Sequence, residues 1–200
     1  MDWHGVLCNK LFWHSILSKR SHRLHSSLKT YSEVLFQTKK NLIKNWMRGE
    51  LNSQEILQEI GMQLPKPYKD DYLRRRLYQD CRKAGFDSDL LEFLQDFRSR
   101  YFLVLATDNM DCFFESLDHM DGLLKGFDFV LCSSELGVLK SDGVREFFGP
   151  WLEAHRLTFN QAMLIDDSED TCLAFSRAGG ASVLYKSMDD VKNAFAAGTP

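Results

Sequence analysis

The segment AMLIDDSEDTCLAFSRAGG, residues 162–180, joins a short apolar run, two adjacent aspartates and a helical stretch that ends at two glycines. The run 162–165 has the length of a buried strand, and Asp166 and Asp167 follow it directly. Two carboxylates at such a strand end repel each other unless a cation or a proton shares the site. Because oxygen ligands favour magnesium over zinc, the pair predicts a magnesium site. The alternative is that these aspartates only cap the following helix.

Three similar apolar runs surround this segment in the second half of the chain, at residues 101–106, 129–132 and 181–184. Each is followed by polar residues and then by a helical pattern. Strands that alternate with helices predict an α/β fold with a parallel sheet, and ligands of such sheets bind at the carboxyl ends of the strands. The polar residues that follow each run are therefore the candidates for a functional site.

Two of these strand ends carry further candidates. In ATDN, residues 106–109, the hydroxyl of Thr107 lies where it could hold an oxygen of a phosphate or carboxylate, and Asn109 could open the next helix. In SSELGVLKSD, residues 133–142, Lys140 stands between a strand and a helix. Considered singly, Thr107 and Asn109 are ordinary capping residues, and a lysine is usually a solvated surface residue.

The first half of the chain, about residues 10–98, has a helical pattern and no strand signal. An apolar stripe with helical spacing is formed by Leu24, Leu28, Tyr31, Val34 and Leu35. Asn52 and Glu55 predict a capping box for a helix that continues to Ile60 and stops at Gly61. Pro65 and Pro67 predict a connection, and two more helices are predicted at residues 70–83 and 87–98, separated by Gly85.

Composition excludes several classes of protein. The 200 residues are 44% hydrophobic, which is enough for a normal core, and the net charge of −3 provides no field that would attract nucleic acid. No run approaches the roughly 20 apolar residues of a membrane span. The five cysteines are scattered without CxxC spacing, which predicts free thiols in a reducing compartment and a cytoplasmic protein.

Four short motifs, in this order, resemble those of the haloacid dehalogenase-like superfamily. They are DWHGVL (2–7), LATDN (105–109), ELGVLK (135–140) and LIDDS (164–168). The resemblance covers residues 1–9 and about 100–186. It implies a Rossmann-like α/β core at residues 1–9 and 99–200 and an α-helical cap inserted at residues 10–98. The segment MRGELNSQEI, residues 47–56, is also similar to a part of such caps.

The resemblance implies a magnesium-dependent phosphatase that acts on a small phosphorylated metabolite, without nucleic acid or membrane as a partner. Asp2 would be the nucleophile and would form an aspartyl-phosphate. Mg²⁺ would be held by Asp2, the backbone carbonyl of His4 and Asp167, with Asp166 supporting the site. The substrate phosphate would be bound by Thr107, Asp108, Asn109 and Lys140, and Lys140 would offset negative charge around the transferring group.

The chain departs from the family pattern in three places. His4 stands where phosphatases of the family carry a second aspartate, which protonates the leaving oxygen. Only Met1 precedes Asp2, so either the chain begins late or the central strand is missing or very short, which would leave its neighbours unpaired. Thr171 replaces an Asn or Asp of many relatives.

Three hypotheses remain open at this point. The first is a phosphatase in which His4 serves as acid and base, since imidazole exchanges protons near neutral pH. The second is a catalytically silent relative that binds a ligand or a protein through the same cleft. The third is a dehalogenase acting on 2-haloacids, because carbon–halogen cleavage needs no protonated leaving oxygen.

Overall fold

The computed structural model describes residues 1–10, 12–64, 70–120 and 122–198. Between the N-terminal loop and the first strand, the described residues form helices and no strand, as the sequence predicts. These helices are α1 (His14–Leu17), α2 (His25–Gln37), α3 (Lys40–Met47), α4 (Ser53–Gln63), α5 (Asp70–Arg82) and α6 (Ser88–Gln95). They form the helical cap. The domain limits, residues 1–9 and 99–200 for the core and 10–98 for the cap, stay a prediction.

The predicted details of the cap are confirmed in part. Asn52 and Glu55 make the reciprocal capping box of α4, but the helix does not stop at Gly61. A glycine costs a helix only about 1 kcal/mol, and burial of the neighbouring Ile60 and Leu64 offsets that cost. The predicted proline connection at Pro65 and Pro67 lies outside the described residues.

The apolar stripe of α2 is confirmed except at one position. Leu24, Leu28, Tyr31 and Leu35 are buried, whereas Val34 is 39% exposed. Successive residues turn by about 100° around a helix, so Val34 points well away from the direction of Leu35. The last predicted cap helix, 87–98, begins one residue later at Ser88, after the capping residue Asp87, and ends at Gln95.

The second half of the chain alternates strands and helices. The strands are β1 (Val104–Thr107), β2 (Phe129–Cys132), β3 (Met163–Asp166) and β4 (Ala181–Leu184). The helices are α7 (Asp111–Phe114), α8 (Ser133–Leu136), α9 (Val144–Ala154), α10 (Glu169–Arg177) and α11 (Met188–Ala196). Strand β1 begins later than predicted, and both β1 and β3 end one residue later. Thr107 pairs with Cys132 of β2, and Asp166 pairs with Leu184 of β4, so each is the last residue of its strand.

Met1 and Asp2 connect the two pairs of strands. The α-amino group of Met1 donates to Val104 O at 2.7 Å, and Ala106 N donates to Met1 O at 2.8 Å, which is a parallel pairing with β1. On the other side, Asp2 N donates to Ile165 O at 2.9 Å. The spatial order is therefore β2, β1, Met1–Asp2, β3, β4, with Met1 and Asp2 in the place of a central strand.

A cavity of about 250 Å³ lies behind Met1, between the two pairs of strands. Its walls include Val104 and Ala106 of β1, Met163 and Ile165 of β3, and Phe175 of α10. The walls are mainly apolar and the flanking strands are not directly paired with each other. The cavity is therefore an apolar gap between β1 and β3, next to Met1.

Adding about four apolar, β-branched residues before Met1 is expected to raise the free energy of unfolding by about 1–3 kcal/mol. Filling the cavity with apolar side chains should outweigh the entropy cost of ordering so few residues. The measurement is chemical denaturation of the extended and original chains. A Gly-Ser extension of equal length is the control, and equal stability of the two extended chains would contradict the prediction.

The pH dependence of this gain has a definite sign. Burial, assisted by repulsion from Lys140, lowers the pKa of the Met1 α-amino group to about 6 from its usual 8.0. The fold therefore disfavours the charged amine, and this cost grows as the pH falls from about 8 to about 6. Because the extension replaces the amine with an amide, its stabilising effect should be larger at about pH 6 than above pH 8.

Two further sequence predictions concern the whole chain. All five cysteines are free and buried, so the prediction of unpaired thiols is confirmed. Among the described residues, no helix combines the length and the apolar character that crossing a membrane requires.

Candidate active site

Three carboxylates meet at the carboxyl ends of the N-terminal segment and β3. The hydrogen bond from Asp2 N to Ile165 O places Asp2 beside Asp166 in register. Asp2, Asp166 and Asp167 each offer one carboxylate oxygen, and these oxygens lie within 4.8 Å of one another. Residues 164 positions apart in sequence are thus joined at one sheet edge, where the sequence predicted a magnesium site.

Lys140 lies between two of these carboxylates. Its Nζ is 3.0 Å from Asp2 Oδ1 and 2.7 Å from Asp166 Oδ2, and the lysine side chain is only 4% exposed. Two backbone amides complete the arrangement: Trp3 N donates to Asp2 Oδ1 at 2.7 Å, and Ser168 N donates to Asp166 Oδ1 at 2.9 Å. Lys140 is therefore a buried cation held by ion pairs, and the alternative of a solvated surface lysine is wrong.

The charges of the site shift several pKa values. Burial alone would lower the pKa of Lys140, but the carboxylates of Asp2, Asp166 and Asp108 together raise it above its usual value. Burial raises the pKa of Asp2, although Lys140 opposes this change. Burial likewise raises the pKa of Asp108 to about 6. Lys140 therefore stays protonated throughout the neutral range.

The loop after β1 brings its residues to the same edge. Thr107 is buried at the end of β1, and Asp108 Oδ1 accepts a hydrogen bond of 2.9 Å from Lys140 N. Asn109 does not open the next helix, because α7 has Met110 as its N-cap. Instead, Asn109 Oδ1 accepts from Met110 N, and Asn109 N donates to Ser133 Oγ at 2.9 Å. These contacts fix the loop beside Lys140.

Helix α10 does not use the aspartate pair as its cap. Its N-cap is Ser168, whose hydroxyl accepts from Thr171 N at 3.3 Å. Thr171 Oγ1 also donates to Ser168 Oγ at 3.0 Å, so Thr171 supports this cap. The simple capping explanation for Asp166 and Asp167 is therefore wrong, and both carboxylates are left for the site.

Gly5 lies against the carboxylate of Asp167. The backbone of Gly5 has a positive φ of 83°, and a Cβ atom there would overlap the side chain of Asp167. The loop that follows Asp2 thus passes close to Asp167 only because residue 5 has no side chain. His4, the neighbouring residue in this loop, is exposed and forms a backbone bridge with Cys8.

The chemistry of this donor set fits Mg²⁺. Clustered carboxylate oxygens at the open end of a strand are ligands for a hard divalent cation, and Gly5 leaves space for Asp167 to join them. The residues that would hold the ion are Asp2 and Asp167, while the resemblance implies the carbonyl of His4 as a further ligand and Asp166 is tied to Lys140.

Sequence reasoning missed the residues that hold the cap against the core. Ser133 Oγ donates to Met47 O at 2.7 Å, and the carboxylate of Asp111 accepts from Trp46 Nε1 and Ser53 N, each at 2.8 Å. Ser133 follows β2 directly, so the search for polar residues at strand ends could have found it. No sequence signal pointed to Asp111.

Solved structures with the same fold belong to haloacid dehalogenase-like (HAD) enzymes. A HAD family enzyme from Bacteroides thetaiotaomicron, solved as a magnesium complex, has a TM-score of 0.70 and 19% identity, with 97% of this chain and 95% of that chain covered. A predicted HAD-like family hydrolase from Porphyromonas gingivalis has a TM-score of 0.70 and 15% identity, with the same coverage.

Dehalogenases share the fold as well. The L-2-haloacid dehalogenase from Xanthobacter autotrophicus, solved with chloropropionic acid covalently bound, has a TM-score of 0.64 and 13% identity, covering 99% of this chain and 81% of that chain. No protein-family model matches the chain, and no curated protein matches it. The chain therefore has the HAD-like hydrolase fold, a Rossmann-like α/β core with a helical cap, and the predicted resemblance is confirmed at the level of the fold.

Proposed function

We propose that this protein is a magnesium-dependent phosphomonoester hydrolase that acts on a small phosphorylated metabolite through an aspartyl-phosphate on Asp2. The observation that carries the proposal is the meeting of Asp2, Asp166 and Asp167 within 4.8 Å, with Lys140 buried between two of them. An anionic nucleophile can approach an anionic ester only if positive charge is supplied. Lys140 supplies part of that charge from within the fold.

The contacts of Asp2 suggest which of its oxygens reacts. Trp3 N and Lys140 Nζ both bind Oδ1, so Oδ2 is the oxygen available to attack phosphorus. The bond between phosphorus and the ester oxygen breaks, and the departing oxygen takes a proton. Water then attacks the phosphorus of the aspartyl-phosphate, which releases inorganic phosphate and restores the carboxylate.

The remaining residues orient and neutralise the phosphoryl group. Thr107, at the end of β1, would donate its hydroxyl to a phosphoryl oxygen, and the loop at Asp108 and Asn109 would bind the same group. A bound Mg²⁺ would offset the negative charge of phosphoryl oxygens. For the proton of the leaving oxygen, His4 is the candidate donor, because it lines the same cavity as Asp108.

The proposal is tested by hydrolysis of 4-nitrophenyl phosphate. We expect turnover with Mg²⁺, loss of turnover to background with excess EDTA, and recovery when Mg²⁺ is restored. The physical reason is that a cation is needed to offset charge where three carboxylates and a phosphate meet. Equal hydrolysis with EDTA and with Mg²⁺ would contradict the proposal.

A dehalogenase is the second candidate, favoured by two observations. Residue 4 is a histidine and not an aspartate, and the chain shares its fold with an L-2-haloacid dehalogenase. Against it, Asp167 joins Asp2 and Asp166 in a cluster suited to a divalent cation. Release of halide from 2-chloropropionate in EDTA would favour the dehalogenase over the phosphatase.

The cellular location and the class of partner that we propose follow from the composition of the chain. Five free, buried cysteines fit a reducing compartment, so we place the protein in the cytoplasm. With a net charge of −3, the expected partner is a small molecule rather than nucleic acid.

A further inference from the structure

A second cavity, of about 270 Å³, lies between the core and the cap. It is next to the carboxylate cluster, because Trp3 in its wall donates its backbone N–H to Asp2 and Asp108 in its wall accepts from Lys140 N. His4, Asp108 and Asn109 form its side toward the catalytic edge of the sheet. The cavity therefore adjoins the site at which the proposed reaction would release an alcohol. This inference rests on the proposed function and concerns the chemistry of that alcohol.

The remaining walls of this cavity are mostly apolar. Trp3 and Phe113 have ring centroids 5.1 Å apart and, with Met110, are at most 4% exposed. From the cap, Phe12 packs on Trp46 with ring centroids 5.7 Å apart. The cap contributes Phe12, Met47, Cys81 and Ala84 to the walls, and the core contributes Trp3, Met110 and Phe113.

Few polar groups are available on the cap side. Asp80 lines the cavity, but its Oδ2 already accepts a hydrogen bond of 2.9 Å from Ser15 N. Lys10 also borders the cavity and is exposed. A polyol placed here would find hydrogen-bond partners on the cap at only these two side chains, whereas an apolar ring would gain by leaving water along the other walls of the cap.

We propose that this cavity binds the leaving group of the substrate, and that the leaving group is a small aromatic alcohol rather than a sugar. The size of the cavity agrees with this assignment. An apolar cavity of about 150 Å³ holds benzene, so the present one accommodates a ring with a short substituent or a second ring. The phosphate end would then face Asp2, and the ring would lie between Trp3 and the cap.

The test measures binding, so that it does not depend on turnover. Phenylphosphonate and methylphosphonate carry the same phosphorus group, and only the first has a ring for the cavity. With Mg²⁺ present, we expect calorimetry to show phenylphosphonate binding about 10–100-fold more tightly, from burial of the ring. The two affinities are compared in the original chain and in the variants described next.

Ala84→Leu fills the cavity from the cap, away from the residues assigned to catalysis. It should reduce the preference for phenylphosphonate to less than about threefold while the affinity for methylphosphonate stays unchanged. Ala154→Leu, at the exposed end of α9, is the matched control and should keep the full preference. Because Ala84 is buried, thermal unfolding is measured for each variant, and Phe12→Ala, which removes a wall instead of adding one, should also reduce the preference.

The outcomes separate this inference from the proposed function. Equal affinities for the two phosphonates in the original chain, or no binding of either, overturn the inference. Magnesium-dependent hydrolysis of a sugar phosphate as fast as that of phenyl phosphate would also overturn it, while the proposed function would stand. A third outcome is that phenylphosphonate binds more tightly than methylphosphonate, that Ala84→Leu abolishes this preference, and that no phosphate ester is hydrolysed. This outcome would support the assignment of the cavity and contradict the proposed phosphatase function.

Discussion

Asp2→Asn is expected to lower the rate of Mg²⁺-dependent phosphate ester hydrolysis by at least about 10⁴-fold. An amide has almost the shape of a carboxylate but cannot act as the nucleophile, so the step that forms the aspartyl-phosphate is lost. The fold should survive, because an amide oxygen can still accept the hydrogen bond from Trp3 N. The measurement is kcat with 4-nitrophenyl phosphate, with thermal unfolding as the check on the fold.

Asp170→Asn is the matched control for this experiment. Asp170 is an exposed aspartate in the first turn of α10, four residues after Asp166, and it lies outside the carboxylate cluster. Its replacement should leave kcat within about twofold of the original. If Asp2→Asn retained more than about one hundredth of the activity, Asp2 would not be the nucleophile.

His4→Asp is expected to raise kcat, and by about 10²–10⁴-fold, the usual contribution of a well-placed general acid and base, where the imidazole of His4 transfers no proton. A carboxyl group at residue 4 can both give and take a proton at the leaving oxygen. Since His4 is exposed in its loop, the substitution should cost little stability. The measurement is kcat for the original chain, for His4→Asp and for His4→Asn, with saturating Mg²⁺.

His4→Asn provides the comparison, because asparagine neither gives nor takes a proton near neutral pH. Activity in the original chain that His4→Asn removes would show that histidine itself transfers the proton. Activity that appears only in His4→Asp would identify the original chain as the catalytically silent relative. No gain with His4→Asp would mean that the missing carboxylate does not limit turnover.

Much of the site could be predicted from local sequence. Asp166 and Asp167 follow an apolar run, and a run of that kind becomes a strand whose end is exposed at a sheet edge. Lys140 could be selected in the same way, from its position between a strand and a helix. The capping box of Asn52 and Glu55 was also readable, since such a cap involves only neighbouring residues.

Other predictions failed because neighbouring groups in space decide them. Gly61 does not end α4, since packing of Ile60 and Leu64 against the cap offsets the weak helix preference of glycine. Asn109 does not cap α7, because its Oδ1 accepts from Met110 N and Ser133 at the end of β2 holds its backbone amide. Ser133 is 24 residues away from Asn109 in sequence.

The sequence by itself determined the kinds of element, the carboxylate pair at a strand end and the free state of the cysteines, because these depend on local periodicity and residue chemistry. Only the tertiary structure decided that Met1 and Asp2 lie between β1 and β3, and that Lys140 is buried between Asp2 and Asp166. The same is true of the cavity between core and cap. Hydrogen bonds, ion pairs and packing between distant segments fix these features, and no local pattern encodes which segments will meet.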